Sequence, residues 1–485
     1  MSRTTLIVAG LTLLALALRL VLVRDSLLGD ELIMFGIVHD RPLGDTLHVI
    51  RETEKTPPLH FLLAWAAARL GDPTLTIRLP SLLAGVALVP AVFLLGRETV
   101  SRRAGLIAAA IAALQPFAIF YATEARAYAL IAFFVVASTL CLLRALDTGR
   151  VSWWAAYAVA VIAAAYTHYI AAFALAAQAG WAFWVHRERI RTLLIVHGAI
   201  LLGYLAWLPS FLVQRSHAGD EASRIAQLAP PSPGYFLRAS AQVLFGEPFV
   251  ALRDVPGRPA LVVLLALCAA GLAVVVVRIV RGARPSSRTV LVVLVALSTP
   301  LGIAALSLPP DHSFLLPRNM SASAPALAVC LGALIATLGR RAAPVAAAVA
   351  LAALAVGVVG AFQPEHRRSD YRAAARWVQA RAQPADPVIQ HLFVAEGEPL
   401  ADVLRINFSR PQPVFPAGGA EEDAAWARAR ETGRAFVVYS LPGAFKRARH
   451  LERFDGPGDA FELRAEQRYA GLEDLLVGEY RLRDR

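Results

Sequence analysis

A chain of 485 residues that is 57% hydrophobic, with mean hydropathy +0.54, carries more apolar surface than a water-soluble globule can bury and reads as an integral membrane protein. The formal charge of +12 is no nucleic-acid footprint, because residues 363–485 hold 19 Lys+Arg against 19 Asp+Glu and the whole excess lies in the apolar part. Three cysteines, Cys141, Cys268 and Cys330, fall inside apolar runs without metal-ligand or redox spacing, which leaves no disulfide for an exported domain.

Apolar runs near the length that crosses a ~30 Å hydrocarbon core recur about eleven times: 4–23, 76–95, 104–121, 127–143, 153–166, 169–185, 193–213, 259–280, 290–308, 319–338 and 342–362. The first follows Arg3 and contains the faintly cleavage-like Ala15-Leu16-Ala17, but its apolarity continues to Val23, which marks a retained anchor. Arginines gather in alternate loops: Arg97, Arg102 and Arg103; Arg144 and Arg150; Arg187, Arg189 and Arg191; Arg281, Arg284 and Arg288; Arg340 and Arg341. Positive loops stay in the cytoplasm. The expected topology is therefore multi-pass in the inner (cytoplasmic) membrane, with Asp30, Glu124, His168, the 214–258 loop, 311–318 and the C-terminal tail on the extracytoplasmic face.

Between the first two runs, the outer loop 24–75 is too long for a connector, and its interrupted apolar positions predict a pair of short interfacial helices, the second starting at Pro57 or Pro58. The 214–258 loop mixes charge with five prolines and reads as a lid over a substrate. After residue 362 the composition turns soluble. There the pattern predicts helices over 371–381, 400–406 and 445–454, strands over 387–394 and 435–440, and a closing hairpin from 461–469 and 475–482. The domains are thus 1–362, a membrane all-α polytopic bundle of about eleven transmembrane helices, and 363–485, a small extracytoplasmic α/β domain. No internal repeat and no nucleotide-binding loop is present.

The polar residues of the outer face are the candidates for chemistry. Asp30 and Glu31 follow the first run; adjacent on a helix, their side chains diverge by about 100°, so one would face a site while the other holds the fold or a metal. They read equally well as carboxylates at a helix start. Lys55, one of only two lysines, stands beside Glu54 and ahead of Thr56-Pro57-Pro58-Leu59, where it could hold a lipid phosphate, snorkel, or pair with Glu54. Glu124 and Arg126, between Tyr121 and Tyr128, line a wet cavity or anchor the interface. His168, in Tyr166-Thr167-His168-Tyr169, is a structural or substrate hydrogen-bonding residue. Arg318, at the mouth of the tenth run, offers a bidentate fork for phosphate, and Arg19 inside the first run is a second phosphate or carboxylate partner or a snorkelling residue.

These residues resemble a known family. The acidic pair, Thr56 to Leu59, Arg78-Leu79-Pro80-Ser81, Glu124 to Leu130 and Tyr166 to Tyr169 occur in the order found in the bacterial branch of the polytopic C-type glycosyltransferases. That branch is related to protein O-mannosyltransferases and to the lipid A aminoarabinose transferases. The likeness is dense over 1–185, is supported by Pro317-Arg318-Asn319, and fades in the C-terminal domain, where Asp370-Tyr371-Arg372 is similar to the start of such exported tails. The resemblance implies a polyprenyl-phosphate-linked sugar as donor and an inverting transfer on the extracytoplasmic face. The acceptor would be a protein, glycolipid or polysaccharide.

It also implies Asp30 as general base with Glu31 its neighbour, Lys55 and Arg318 on the donor phosphate, and Glu124, Arg126, Tyr128 and His168 shaping the sugar and substrate site. Relatives often carry His or Lys directly before Pro-Pro, where this chain has Thr56 and its lysine one place earlier. The aspartate-rich metal motif of oligosaccharyl transferases is not evident, so no metal and no cofactor is expected, and no nucleic acid partner. The rival reading is a transporter or flippase of polyprenyl-linked sugars; repeated halves and midplane polar groups would mark it, whereas here the polar groups crowd one face.

Overall fold

The computed structural model describes residues 2–216, 218–245, 258–309, 311–391, 402–442 and 460–483, and it divides into two units. One comprises Met1–Val23 and Ile37–Gly360; the other comprises Arg24–Gly36 and Ala361–Arg485.

The larger unit is helical. Among the described residues six helices are long and apolar enough to cross a membrane: Arg3–Leu22, Pro73–Thr99, Tyr128–Thr148, Val262–Val280, Ser287–Leu306 and Gly339–Ala361. The number is eight if two bent pairs each count as one span, Arg102–Leu114 with Pro116–Ala122 and Arg187–Leu205 with Leu208–Ser216. Three further apolar helices are shorter, Val151–Thr167, Ala171–Val185 and Ala324–Thr337. Leu13, Leu83, Val159, Ile195 and Leu201 stand exposed on these helices, a surface that lipid rather than water suits. Inside, small residues bring backbones together: a Cβ on Gly96 would lie 2.6 Å from the Gly105 Cα, so Leu79–Thr99 and Arg102–Leu114 touch main chain to main chain.

The 59° bend between Arg102–Leu114 and Pro116–Ala122 has a plain cause. Pro116 has no N–H, so the carbonyl of Ala112, four residues earlier, loses its helical donor. Arg19 supplies the replacement. Its Nη2 donates to Ala112 O at 3.3 Å and its Nη1 to Ala113 O at 3.4 Å and to Ala15 O at 3.0 Å, with the side chain fully buried. The sequence left Arg19 as a phosphate or carboxylate partner or a snorkelling residue; the fold uses it to satisfy a broken helix.

The interfacial helices expected after the first span are Leu43–Thr53 and Leu59–Ala67, the second starting one residue after Pro58. Asp72 caps the short helix Pro73–Thr76 by accepting from Thr74 N at 2.9 Å. In the 214–258 segment the structure adds helices Ala218–Leu228 and Pro233–Phe245, while 246–257 lie outside the described residues. Ala239 and Val243 of the latter helix pack with Phe117, Tyr121, Tyr128, Leu315 and Met320, so this helix covers the Tyr121–Tyr128 turn.

The smaller unit is an α/β sheet of five strands, β1 (Val388–His391), β2 (Val414–Pro416), β3 (Arg434–Pro442), β4 (Phe461–Tyr469) and β5 (Glu473–Leu482), in the order β2-β1-β3-β5-β4. β2, β1 and β3 run parallel; β5 lies antiparallel to β3 and β4. Helix Gly419–Thr432 lays Ala425, Trp426 and Ala429 on Ile389, Val437 and Tyr480 to make the core. The expected helix at 371–381 is Tyr371–Gln379, and the closing hairpin is β4 with β5. The helix expected over 400–406 is instead a single 3-10 turn, Arg405–Asn407, among the described residues, begun where Asp402 Oδ1 accepts from Leu404 N and Arg405 N. The helix expected at 445–454 lies outside the described residues.

Arg24–Gly36 belongs to this unit through side chains. Asp25 pairs with Arg367, Glu31 with Arg368, and Ser26 Oγ accepts from Arg372 N at 3.1 Å. Gly29, at a φ of 55°, turns the chain into helix Asp30–Val38, whose first turn holds the acidic pair.

Candidate active site

In the helical unit the candidate polar residues are fixed one upon another. Helix Leu43–Thr53 ends with Glu54 N donating to Ile50 O at 3.1 Å, which turns the chain and buries Glu54. Glu54 Oε2 then stands 3.9 Å from Arg126 Nη1, so the acid beside Lys55 meets the arginine of the Glu124–Arg126 turn. That turn is tight, with Arg126 N donating to Glu124 O at 2.8 Å and Thr123 Oγ1 to Phe120 O at 2.9 Å.

A second link holds Arg126 by its backbone. His60 Nε2 and Ser81 Oγ are 3.1 Å apart, and Ser81 Oγ donates to Arg126 O at 2.9 Å, tying the Pro-Pro-Leu-His and Arg-Leu-Pro-Ser stretches to the Arg126 turn. Ser81 spends its one proton on Arg126 O, so His60 Nε2 must be the donor in that contact. Burial, and then the charge of Arg126, push His60 down to about 3 and keep its ring neutral at pH 7. Arg78, fully buried, donates from Nη1 to Val23 O at 2.8 Å and so fixes the start of its helix.

Aromatic rings carry the site onward. Tyr121 packs on Phe117 and Tyr128 with ring centroids 4.6 and 4.9 Å apart, and Tyr128 lies 5.9 Å from the His168 ring. His168 Nδ1 accepts from Ile170 N at 3.3 Å, which leaves the ring proton on Nε2. Burial first, then the charges of Arg126 and Arg318, push His168 to about 3. Two guanidinium groups from distant stretches therefore act on one neutral imidazole. Arg318 sits in the 3-10 turn Pro317–Met320, fixed by Asn319 Nδ2 donating to Phe314 O at 2.9 Å. Its field, with that of Arg238, also reaches the Tyr235 phenol on the covering helix Pro233–Phe245. A cavity of about 30 Å³, room for roughly one water, lies beside Tyr121, Tyr128, Gln115, Gly85 and Ser321.

Of the residues singled out from sequence, Tyr128 and His168 pack ring against ring, the charges of Arg126 and Arg318 both bear on His168, Glu124 shapes the Arg126 turn, and Lys55 follows the Glu54 that Arg126 meets. Asp30 and Glu31 belong to the other unit. There Glu31 Oε2 lies 3.1 Å from Arg368 Nε, both side chains at 3% exposure or less, while Asp30 opens its helix half-buried. One carboxylate of the pair thus holds the fold. His60 and Ser81 were not legible as site residues. Among the described residues no three His, Cys, Asp or Glu side chains gather as metal ligands.

Residues 55–212 match the family described as Dolichyl-phosphate-mannose-protein mannosyltransferase. A search of curated protein sequences finds no match. Among solved structures, the chain is similar to ArnT from Cupriavidus metallidurans in the apo state at 13% identity and a TM-score of 0.54, covering 98% of this chain and 97% of that one. It is similar to the same protein bound to undecaprenyl phosphate at 12% identity and a TM-score of 0.55, with the same coverage. The archaeal oligosaccharyltransferase AglB from Archaeoglobus fulgidus, in complex with an inhibitory peptide and a dolichol-phosphate, is 12% identical with a TM-score of 0.53, covering 90% of this chain and 69% of that one. The matched segment contains Lys55, Glu124, Arg126, Tyr128 and His168 and spans about a third of the chain, and the solved structures share its fold.

Proposed function

We propose that the protein moves a single sugar, with inversion, from a polyprenyl-phosphate donor to an extracytoplasmic acceptor. The observation that carries this reading is a neutral His168, packed beside Tyr128, on which the charges of both Arg126 and Arg318 bear. Arg318 suits the charge that grows on a leaving phosphate, Arg126 adds positive charge beside the sugar, and a neutral imidazole adds a donor without further charge. The solved ArnT bound to undecaprenyl phosphate and AglB with a dolichol-phosphate support a polyprenyl carrier.

In the reaction so read, the acceptor hydroxyl attacks the anomeric carbon from the face opposite the phosphate, Asp30 takes its proton, and the bond from that carbon to the phosphate oxygen breaks. Polyprenyl phosphate leaves with the electron pair, held by Arg318 and Lys55, while Glu124, Arg126, Tyr128 and His168 shape the sugar site. The pairing of Glu31 with Arg368 supports Asp30 as the base of the pair. About eleven spans, with the arginine-rich loops cytoplasmic and the site and C-terminal unit on the opposite face, complete the reading.

The test is transfer of radiolabel from a panel of polyprenyl-phosphate sugars, with nucleotide sugars as controls, in membranes carrying the protein. Label passing to an acceptor only from a polyprenyl donor is the expected result. Label that changes leaflet without any transfer would make the chain a transporter.

A further inference from the structure

Gln214 closes the helix Leu208–Ser216 and lies just beyond the segment that matches the mannosyltransferase family. It is buried, and each polar atom of its side chain has a partner. Its Nε2 donates to Ile50 O at 2.8 Å and to Thr56 O at 3.3 Å, and its Oε1 accepts from the Tyr169 hydroxyl. The Tyr169 hydroxyl in turn accepts from Trp207 Nε1 at 3.1 Å. This chain runs in one direction only, from indole to phenol to amide to two carbonyls. An indole cannot accept, and two carbonyls cannot donate, so the amide orientation and the phenol proton are both determined.

The two carbonyls bracket the turn that carries Glu54 and Lys55. Ile50 O ends the helix Leu43–Thr53 and also accepts from Glu54 N; Thr56 O belongs to the residue just before Pro57. The side chain that holds the Thr56 end comes from 158 residues away in the sequence. The geometry assigns Gln214 as the positioning residue of the Lys55 turn: one amide grips both ends of the turn and so fixes where Lys55 meets the donor phosphate. This rests on the reading of Lys55 as a phosphate ligand given above. It gives the Tyr166 to Tyr169 stretch a role besides that of His168, because Tyr169 orients the amide.

The experiment compares Gln214→Glu, Gln214→Met, Tyr169→Phe and Lys55→Ala in the full chain, by donor KM, kcat and amide hydrogen exchange of the peptide spanning 50–56. Gln214→Glu keeps the shape but has no N–H to give. Its donor KM should rise about tenfold or more with kcat within about threefold, the cost of one or two hydrogen bonds that orient a charged ligand. Exchange at 50–56 should quicken. Tyr169→Phe should show the same pattern more weakly, and adding Gln214→Glu to Lys55→Ala should cost nothing further, because both act through one contact. Unchanged exchange at 50–56 in both Gln214 variants would overturn the clamp, as would a fall in kcat with donor KM unmoved. If Lys55→Ala leaves donor KM unchanged, the reading of Lys55 fails and takes the catalytic purpose of the clamp with it, whereas exchange still decides whether Gln214 fixes the turn.

Discussion

Glu31 and Arg368 form a buried ion pair, Oε2 to Nε at 3.1 Å, joining a helix from the first fifty residues to the start of the C-terminal segment within one structural unit. Two charges taken out of water are costly unless matched, and removing one leaves the other stranded. Glu31→Ala should therefore destabilise this unit by about 3–5 kcal/mol, seen as a lower melting temperature and faster proteolysis in detergent, and Arg368→Ala should do the same. A Glu31→Ala protein of native stability but without transferase activity would show that Glu31 serves the reaction instead.

Arg19 tests the account of the helix break at Gln115-Pro116. Arg19→Met fits the space but leaves the carbonyls of Ala112 and Ala113 without a donor, a loss of about 1–3 kcal/mol for each group so stranded. Thermal stability should fall while donor KM stays near the wild-type value. A large rise in donor KM with unchanged stability would return Arg19 to the role of phosphate ligand.

The two neutral histidines predict how stability follows pH. His60 and His168 sit at about 3 in the folded chain, below the usual value near 6.5, so between these limits the unfolded chain binds protons that the folded chain refuses. Their contribution is whole above about pH 6.5 and is lost as pH falls toward 3, at up to about 1.4 kcal/mol per pH unit for each group. His168→Gln should flatten the decline of melting temperature between pH 6.5 and 4. A steeper decline in that variant would mean that the histidine is charged in the folded state.

Arg318→Ala and Arg126→Ala separate the two guanidinium groups that act on His168. If Arg318 holds the donor phosphate, its loss should raise donor KM about tenfold to a hundredfold, the cost of a charge-assisted hydrogen bond. Arg126→Ala should lower kcat as well, since it also releases Glu54. Equal, purely structural losses of melting temperature without kinetic change in either variant would leave phosphate binding to other groups.

Much of this was legible in the chain. Runs of apolar residues mark the helices because a bilayer leaves the backbone no other way to satisfy its polar groups, and the apolar positions of 461–469 and 475–482 mark β4 and β5, the latter buried along most of its length. β2 escaped notice because three residues ending in Pro416 carry no periodicity, and Gly419–Thr432 because its core face is built largely of alanine. At the site, Arg126, His168 and Arg318 were readable as polar residues too costly to place idly at a membrane. The contacts that orient them were not: His60 and Ser81 are 21 residues apart, Gln214 and Thr56 are 158 apart, and no local pattern encodes a hydrogen bond across such a distance. Arg19 misled because a buried arginine looks the same in sequence whether it serves a ligand or a broken helix.

The most direct test of the central claim is Asp30→Asn, assayed for sugar transfer and, on the same preparation, for binding of the polyprenyl-phosphate donor. The substitution keeps the size of the side chain and its place at the start of helix Asp30–Val38 but removes the base. Transfer should fall by about a hundredfold to ten-thousandfold, the usual worth of a general base, with donor binding close to that of the wild type. Transfer at the wild-type rate in Asp30→Asn would contradict the assignment of the base and the mechanism built on it.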